Sequence, residues 1–266
     1  NILMNTRKVE EYIVQWLIDY KNQNNINGYI IGVSGGIDSA VTSTLCAKTG
    51  LRTLCLDMPI RQNLSEHSRA KNHIKWLKEK FGTSVYSNAM DLSNVFKEFE
   101  KTIPEEKIKF LKTHALANTR ARLRMVALYY FASLNNYVVV GTGNKVEDFG
   151  IGFYTKYGDG GVDISPIADL SKSEVYKLAE YLKIDNALIE AKPTDGLWDD
   201  NRTDEDQIGA SYDEIEWAMK QKKLGKKLND FDGREKEVFE VFEKHQNNNL
   251  HKMKPIPVCK IPNKLK

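Results

Sequence analysis

Short apolar runs that alternate with helix-like segments constrain the fold of this chain more than any other feature of its sequence. Apolar runs occupy residues 29–33, 52–57 and 137–141, and segments between them, such as 37–48 and 66–81, repeat apolar residues at helical spacing. Strands that are separated by helices form right-handed crossovers and a parallel sheet. We therefore predict an α/β fold: a single-domain parallel sheet with helices on both faces, which binds ligands beyond the carboxyl ends of its strands.

The composition limits the classes of function open to this chain. Its 266 residues are 41% apolar, enough for the core of one domain, and a formal net charge of +3 is too small to indicate a nucleic-acid-binding face. No apolar run approaches ~18 residues and no signal-peptide core begins the chain, so we expect a cytoplasmic protein without a membrane partner. Its cysteines, Cys46, Cys55 and Cys259, lie far apart and are expected to be reduced.

A glycine-rich turn follows the first apolar run and opens a helix. Adjacent glycines let the backbone bend tightly, and the unpaired N–H groups of a helix N-terminus attract an anion. Asp38 would repel that anion unless a divalent cation lay between them, and Mg²⁺ prefers carboxylate and phosphate oxygens. The turn therefore predicts a site for phosphate and Mg²⁺. Its residues are Gly32, Val33, Ser34, Gly35, Gly36, Ile37, Asp38 and Ser39.

The turn lacks the lysine of the Gly-x-x-x-x-Gly-Lys-Ser/Thr phosphate loop. It resembles instead the Ser-Gly-Gly-x-Asp-Ser loop of the ATP pyrophosphatase superfamily. Members of that superfamily use ATP to activate a carboxylate or carbonyl oxygen as an adenylate, which nitrogen then attacks. The resemblance implies a Rossmann-like fold of the adenine nucleotide alpha-hydrolase type, and it leaves the substrate open.

Further segments resemble, in order and spacing, the ammonia-dependent form of the NAD synthetase family. The resemblance extends from about Tyr12 to Pro257 and implies a ligase that forms a C–N bond. In the family reaction, ATP adenylates the nicotinate carboxylate of deamido-NAD, and ammonia then displaces AMP to give NAD, AMP and pyrophosphate. The matching segments are 118–125 (Asn-Thr-Arg-Ala-Arg-Leu-Arg-Met), 141–147 (Gly-Thr-Gly-Asn-Lys-Val-Glu), 152–163 (Gly-Phe-Tyr-Thr-Lys-Tyr-Gly-Asp-Gly-Gly-Val-Asp), Pro166, Lys172, Pro193-Thr194 and His251-Lys252.

The resemblance assigns roles to individual residues. Asp38 and Glu147 correspond to the Mg²⁺ ligands, and Thr142, Lys172 and Thr194 join the glycine-rich turn as ATP-binding residues. The expected catalytic residues are Asp38, Glu147, Asp159 and Lys172. The residues that correspond to deamido-NAD contacts are Asn118, Arg122, Lys156, Asp163, His251 and Lys252.

Two of these assignments have a chemical or geometric argument beside the resemblance. Asp159 is our candidate for receiving ammonium, because a carboxylate near the adenylate attracts a cation and accepts its proton. Asn118 and Arg122 are four residues apart and share one helix face. Arg120 and Arg124 share a face turned away from it, so we expect them to form ion pairs or to serve a partner subunit.

Two segments depart from the family pattern or are left open by it. Asp57 stands where many bacterial members carry an arginine just before a proline, and we expect Arg61 or Gln62 to take over that contact with ATP. The acidic segment 195–207 corresponds to a loop that folds over ATP in the family, so we expect a mobile loop. Trp198 within it is either a lid residue that excludes water or an ordinary packing anchor.

The resemblance also implies a homodimer with the substrate bound across the interface. The long helix expected at 105–135 has an apolar side that packs either on a partner or in its own core; that side comprises Leu111, Met125, Leu128 and Phe131. A glutaminase domain would add roughly 250 residues, so we expect residues 1–266 to be a single NAD synthetase domain that uses free ammonia, with residues 1–5 outside the ordered part. A separate glutaminase subunit is left open.

Two other functions are compatible with the sequence. One is another ATP pyrophosphatase, which would amidate or thiolate a different substrate. The other is a nucleotide-binding protein without catalysis, although the presence of both Asp38 and Glu147 argues against it, because a sensor needs no reactive metal geometry.

Overall fold

The protein is built on a parallel sheet whose strand order reverses once. The computed structural model describes residues 4–61, 64–194 and 203–266. Within them the strands are β1 Gly28–Gly32, β2 Arg52–Asp57, β3 Val85–Ala89 and β4 Tyr137–Val139, in the spatial order β3-β2-β1-β4. Gly28, the first residue of β1, pairs with Arg52 on one side and with Tyr137 on the other, so β1 lies between two parallel neighbours.

Helices connect and cover the strands. They are α1 Thr6–Asn24, α2 Ile37–Lys48, α3 Leu64–Phe81, α4 Ser93–Thr102, α5 Lys109–Asn135, α6 Lys172–Tyr181, α7 Asn186–Ile189, α8 Asp204–Ile208, α9 Tyr212–Lys223 and α10 Gly233–Met253. A π-helical turn spans Val146–Ile151, and 3₁₀ turns span Gly82–Ser84, Leu228–Asp230 and Asn263–Leu265. No helix in the described ranges has both the length and the apolar character needed to cross a membrane.

Both faces of the sheet are buried, which confirms the predicted α/β fold. Alternate residues of β1 point to opposite faces. Tyr29 and Ile31 pack with residues of α1, α2, α3 and α6, whereas Ile30 packs with Phe96 of α4 and Ala127 of α5. A parallel sheet needs such cover on both sides, and its strands are accordingly apolar throughout. Cys46 and Cys55 are buried free thiols within the first of these cores.

A third apolar cluster lies at the carboxyl end of the sheet. It joins the π-helical turn to α8, α9 and α10, through Val146, Ile208, Ile215 and Phe239. All four side chains are almost completely buried. Because this cluster fixes the π-helical turn against the C-terminal helices, it determines where Glu147 lies.

The structure differs from the predicted elements at two places. The sequence predicted one helix at 105–135, but the structure contains α4 before it, and α5 begins only at Lys109. Ile103 between them is extended, as expected for a residue that precedes a proline, and it separates the two helices. The predicted mobile loop at 195–207 lies largely outside the described residues, but its last part forms α8, which Thr203 caps through the backbone N–H of Asp206.

Candidate nucleotide-binding site

A cavity lies beyond the carboxyl ends of β1 and β4, where parallel sheets bind their ligands. Its walls come from the turn after β1, from residues 141–143 after β4, from the π-helical turn and from the first residue of α6. All eight residues of the glycine-rich turn line it, together with Thr142, Asp159 and Thr194. The structure therefore brings the predicted ATP-binding residues and the predicted catalytic residues into one cavity.

The glycine-rich turn has the geometry of an anion-binding loop. Gly35 has a φ of +85°, and a Cβ atom there would lie 2.3 Å from the carbonyl oxygen of Glu66, so glycine is required on both counts. The N-cap of α2 is Gly36, which has no side chain with which to cap the helix. The hydroxyl of Ser39 instead closes the turn, accepting from the Ser34 N–H at 3.2 Å and donating to the Gly36 carbonyl at 3.0 Å. The N–H groups of the first turn of α2 are thus left for a ligand.

Lys172 links the two predicted metal ligands. Its Nζ donates to Asp38 Oδ2 at 2.5 Å and to Glu147 Oε1 at 3.2 Å, and the residue is only 3% exposed. Burial alone would lower the pKa of Lys172, but the two carboxylates more than offset it and raise that pKa, so the ammonium group stays charged. Asn144 donates to the other oxygen of Asp38 at 3.2 Å and thereby fixes its orientation.

The two carboxylates could also converge on a metal ion. Among the described residues there is no group of three or more His, Cys, Asp or Glu side chains arranged to hold a metal. Mg²⁺, however, is commonly held by one or two carboxylates together with substrate phosphates and water. Because Asp38 and Glu147 both reach the same nitrogen atom of Lys172, they fit this kind of site.

Tyr212 completes the cluster, and the sequence reasoning missed it. Its hydroxyl donates to Glu147 Oε1 at 2.6 Å and lies 3.1 Å from Asp204 Oδ2, while the Nζ of Lys172 lies 4.7 Å from the centre of its ring. Burial raises the pKa of Tyr212, so the hydroxyl keeps its proton and remains a donor. Tyr212 is the first residue of α9, which Ser211 and Glu214 cap reciprocally.

A further carboxyl group, that of Asp148, lies on the cavity wall near Asp159. Burial, and then the charges of Glu147, Asp159 and Asp38, raise the pKa of Asp148 to about 8. Its Oδ1 would lie 2.1 Å from a Cβ atom at residue 143, so glycine there makes room for it. Asp159 itself accepts the backbone N–H of Thr155 at 2.8 Å. The sequence signal for Asp148 was its place directly after Glu147, the last residue of the recognised segment 141–147.

Four of the predicted deamido-NAD contacts lie together beside the cavity. Arg122 donates to the carbonyl of Lys156 at 3.2 Å, and Lys156 donates to the carbonyl of His251 at 2.9 Å. Asn118 accepts the hydroxyl hydrogen of Thr155 at 2.6 Å. Three segments that are far apart in the sequence therefore meet here, which is what a shared substrate site requires.

The two other predicted contacts of this kind have partners within the protein. Lys252 donates to the carbonyls of Gly152 and Tyr154, at 2.8 and 2.6 Å. The carboxylate of Asp163 accepts from the hydroxyl of Tyr129 and from the backbone N–H of Val139, both at 2.8 Å. These contacts position the neighbouring backbone, and the binding roles of both residues stay predictions.

The basic residues around the cavity differ from those expected. Arg61 pairs with Glu100 of α4 at 2.5 Å and does not line the cavity, so its contact with ATP stays a prediction; Gln62 and Trp198 lie outside the described residues. Arg69 and Arg124 line the cavity instead. Arg124 lies on a different face of α5 from Arg122, and that face borders the cavity.

The parallel sheet, the uncapped glycine turn and the paired acids define an α/β nucleotide-binding enzyme of the ATP pyrophosphatase type. Comparison with known proteins identifies the family within this class. The family model described as NAD synthase matches residues 9–256. The chain therefore belongs to the NAD synthase family, as the sequence predicted.

Individual relatives agree with this assignment over nearly the whole chain. The NH₃-dependent NAD⁺ synthetase of Archaeoglobus fulgidus is 36% identical, over 97% of this chain and 98% of that protein. The structure of NMN synthetase from Francisella tularensis has a TM-score of 0.79 and 31% identity, and covers 98% of this chain and 99% of that one. The structure of NH₃-dependent NAD synthetase from Campylobacter jejuni has a TM-score of 0.77 and 26% identity, covering 97% and 100%.

The contacts of Tyr212 generate a test. Tyr212→Phe keeps the ring but removes the hydroxyl that orients Glu147, and we expect it to lower the free energy of unfolding by about 2 kcal/mol. Tyr29→Phe is the matched control, because the Tyr29 hydroxyl donates to the Leu17 carbonyl at 2.7 Å, in the core and away from the cavity. Urea unfolding should show a loss in both variants, whereas only Tyr212→Phe should need a higher Mg²⁺ concentration for half-maximal activity. An unchanged Mg²⁺ dependence would contradict the positioning role.

Proposed function

We propose that this chain is an ammonia-dependent NAD synthetase that adenylates the nicotinate carboxylate of deamido-NAD with MgATP and then amidates it. The observation that carries the proposal is the convergence of Asp38 and Glu147 on Lys172, beside the glycine-rich turn, in a member of the NAD synthase family. The products are NAD, AMP and pyrophosphate.

The chemistry explains why such a cavity is needed. A carboxylate is unreactive toward ammonia because the leaving group would be oxide, and adenylation replaces oxide by AMP. The enzyme must therefore hold the pyrophosphate, align the carboxylate with the α-phosphorus and keep water from the adenylate. In our proposal the first-turn amides of α2 and the hydroxyls of Ser34 and Ser39 bind the phosphates, and Thr142 and Thr194 border the nucleotide.

Lys172, Asp38 and Glu147 provide the charges around the reacting phosphate. Mg²⁺, when bound by Asp38 and Glu147, supplies the positive charge that neutralises phosphate oxygens. Lys172, held between the two acids, is positioned to stabilise negative charge that develops on the leaving pyrophosphate. Tyr212 keeps Glu147 in place by donating to Oε1, the same carboxylate oxygen that accepts from Lys172.

We propose that the cluster of Asn118, Arg122, Lys156 and His251 binds deamido-NAD, together with Lys252 and Asp163. The cluster adjoins the cavity through Gly158 and Asp159, which line its wall and lie in the same segment as Lys156. A basic cluster suits a substrate that carries phosphate groups.

The mononucleotide form of the same substrate is a second candidate acceptor. The similarity to the Francisella tularensis NMN synthetase, at 31% identity over almost the full length of both chains, is the observation that favours it. The chemistry at the carboxylate would be the same, and only the contacts with the distal part of the substrate would differ.

An assay with defined substrates tests this proposal. The protein is incubated with MgATP, ammonium and either deamido-NAD or nicotinate mononucleotide, and the amidated product is quantified by chromatography. We expect NAD from deamido-NAD, with AMP and pyrophosphate in equal amounts, and no product when glutamine replaces ammonium. Asp38→Asn should lower kcat at least 100-fold, whereas Asp19→Asn, at an exposed position on α1, should leave it unchanged. Full turnover in Asp38→Asn, or no product from either acceptor, would disprove the proposal.

Asp159 is the proposed receptor for ammonium. Its place on the cavity wall supports this role, because a carboxylate there attracts the cation and accepts a proton as the amide forms. We expect Asp159→Asn to raise the KM for ammonium about tenfold with little change in the KM for ATP. Asp213→Asn, an exposed carboxylate on α9, is the control. Full activity of Asp159→Asn at limiting ammonium would show that this role is wrong.

A homodimer is part of the proposal. Leu128 and Phe131, which the sequence placed on an apolar side that packs either on a partner or in its own core, are partly buried against the core, and Met125 lines the cavity. Another stripe of α5 is exposed instead, with Val126, Tyr130 and Leu134 each more than half accessible at a spacing of four residues. An apolar stripe of this kind suits a second copy of the chain.

Sedimentation analysis tests the dimer. The unmodified protein should sediment at twice the mass of one chain, and Tyr130→Glu should sediment at the mass of one chain because it places a charge in the apolar stripe. Tyr12→Glu, at a position on α1 that is 74% exposed, should remain dimeric. A monomer in the unmodified protein would reject this part of the proposal.

We also propose that residues 1–266 act as one catalytic domain in the cytoplasm. Contacts between the C-terminal cluster and the π-helical turn support a single functional unit. The buried free thiols Cys46 and Cys55 are compatible with a reducing compartment.

A further inference from the structure

Arg69 of α3 lies on the cavity wall beside the glycine-rich turn. Its Nε donates to the carbonyl oxygen of Gly35 at 3.0 Å. The first turn of α3 also touches the turn directly, because a Cβ atom at Gly35 would lie 2.3 Å from the carbonyl oxygen of Glu66. The guanidinium group is therefore held in a defined position relative to the amides that begin α2.

The charges around the cavity explain why a positive group at this position matters for a phosphate ligand. More acidic than basic side chains line it, and the basic ones are Arg69, Arg124, Lys172 and Lys192. Lys172 is engaged by two carboxylates, and the Nε of Arg124 donates to the carbonyl of Met58 at 3.0 Å, next to the apolar part of the wall. A polyphosphate brought into such a surrounding needs nearby positive charge. Arg69, by contrast, bonds to a backbone carbonyl of the turn and to no carboxylate within the described ranges.

The chemistry of the side chain fits a phosphate ligand. A guanidinium group donates from a planar fork that matches two phosphate oxygens. With its Nε bonded to Gly35, Arg69 retains two terminal amino groups, which make no hydrogen bond or ion pair within the described ranges of the chain. We propose that these amino groups bind the β- and γ-phosphates of ATP, so that Arg69 binds the pyrophosphate that leaves in the reaction. The inference rests on the proposed function, because it assigns a residue to the same nucleotide site.

A purely structural role for Arg69 predicts a different outcome. If the residue only braced Gly35, its loss would deform the whole turn and weaken every ligand that uses the turn. If it binds the terminal phosphates, its loss should weaken pyrophosphate and leave AMP almost unaffected. The two products of the proposed reaction therefore separate the alternatives.

Isothermal titration calorimetry with Mg²⁺ and either inorganic pyrophosphate or AMP makes this test. We expect Arg69→Met to raise the Kd of pyrophosphate at least fivefold and to change the Kd of AMP less than twofold. Arg69→Lys should raise the Kd of pyrophosphate by a smaller factor, because it keeps the charge and loses the fork. Lys71→Met removes the same charge from an exposed position on the same helix and should change neither value.

Each outcome decides between the proposals. Unchanged pyrophosphate affinity in Arg69→Met, or an equal loss for AMP, would overturn the role of Arg69 while leaving the proposed function intact. If the unmodified protein binds neither pyrophosphate nor ATP, the proposed function fails, and this inference fails with it. Circular dichroism checks folding, and if Arg69→Met does not fold, Arg69→Lys decides: wild-type affinity for pyrophosphate in that variant would overturn the inference.

Discussion

The ion pairs of Lys172 with Asp38 and Glu147 are the interaction on which the rest of the site depends. Removing charged groups from water costs several kcal/mol of folding free energy per ion. The attraction between the ions offsets this cost only when their geometry is good and further hydrogen bonds are made to them. Here the two carboxylates share one ammonium group, and Asn144 and Tyr212 add hydrogen bonds to them. Loss of Lys172 would leave the two carboxylates close together with no positive charge between them.

These ion pairs also join parts of the chain that are far apart in sequence. Asp38 belongs to the first turn of α2, Glu147 to the π-helical turn and Lys172 to the start of α6. Through Tyr212 the network continues to Asp204 of α8, whose N–H donates to the carbonyl of Pro193 at 3.0 Å. The sheet, its crossover helices and the C-terminal helices therefore meet at one point, and the nucleotide cavity opens beside it.

The part of the site that sequence could predict is the part encoded locally. The glycine-rich turn and its helix depend on neighbouring residues, so their position and geometry follow from a short motif. Tyr212 could not be found in this way, because its partner Glu147 lies 65 residues away and only the apolar packing of α9 brings them together. Helical periodicity showed that Arg124 and Arg122 lie on different faces of α5, but it could not show that the face of Arg124 borders the cavity. Arg69 belongs to none of the motifs recognised in the sequence, so nothing in the sequence pointed to it.

The edge of the sheet at β4 shows one more consequence of this architecture. An edge strand offers unpaired backbone groups to which another chain can add a strand. Here Asp163 accepts the N–H of Val139 and donates its own backbone N–H to the same residue, and Val140 is bridged to Ile164. The end of the predicted substrate motif, with Ile164 that follows it, thus occupies the place that an added strand would take, and it protects this edge of the sheet against aggregation.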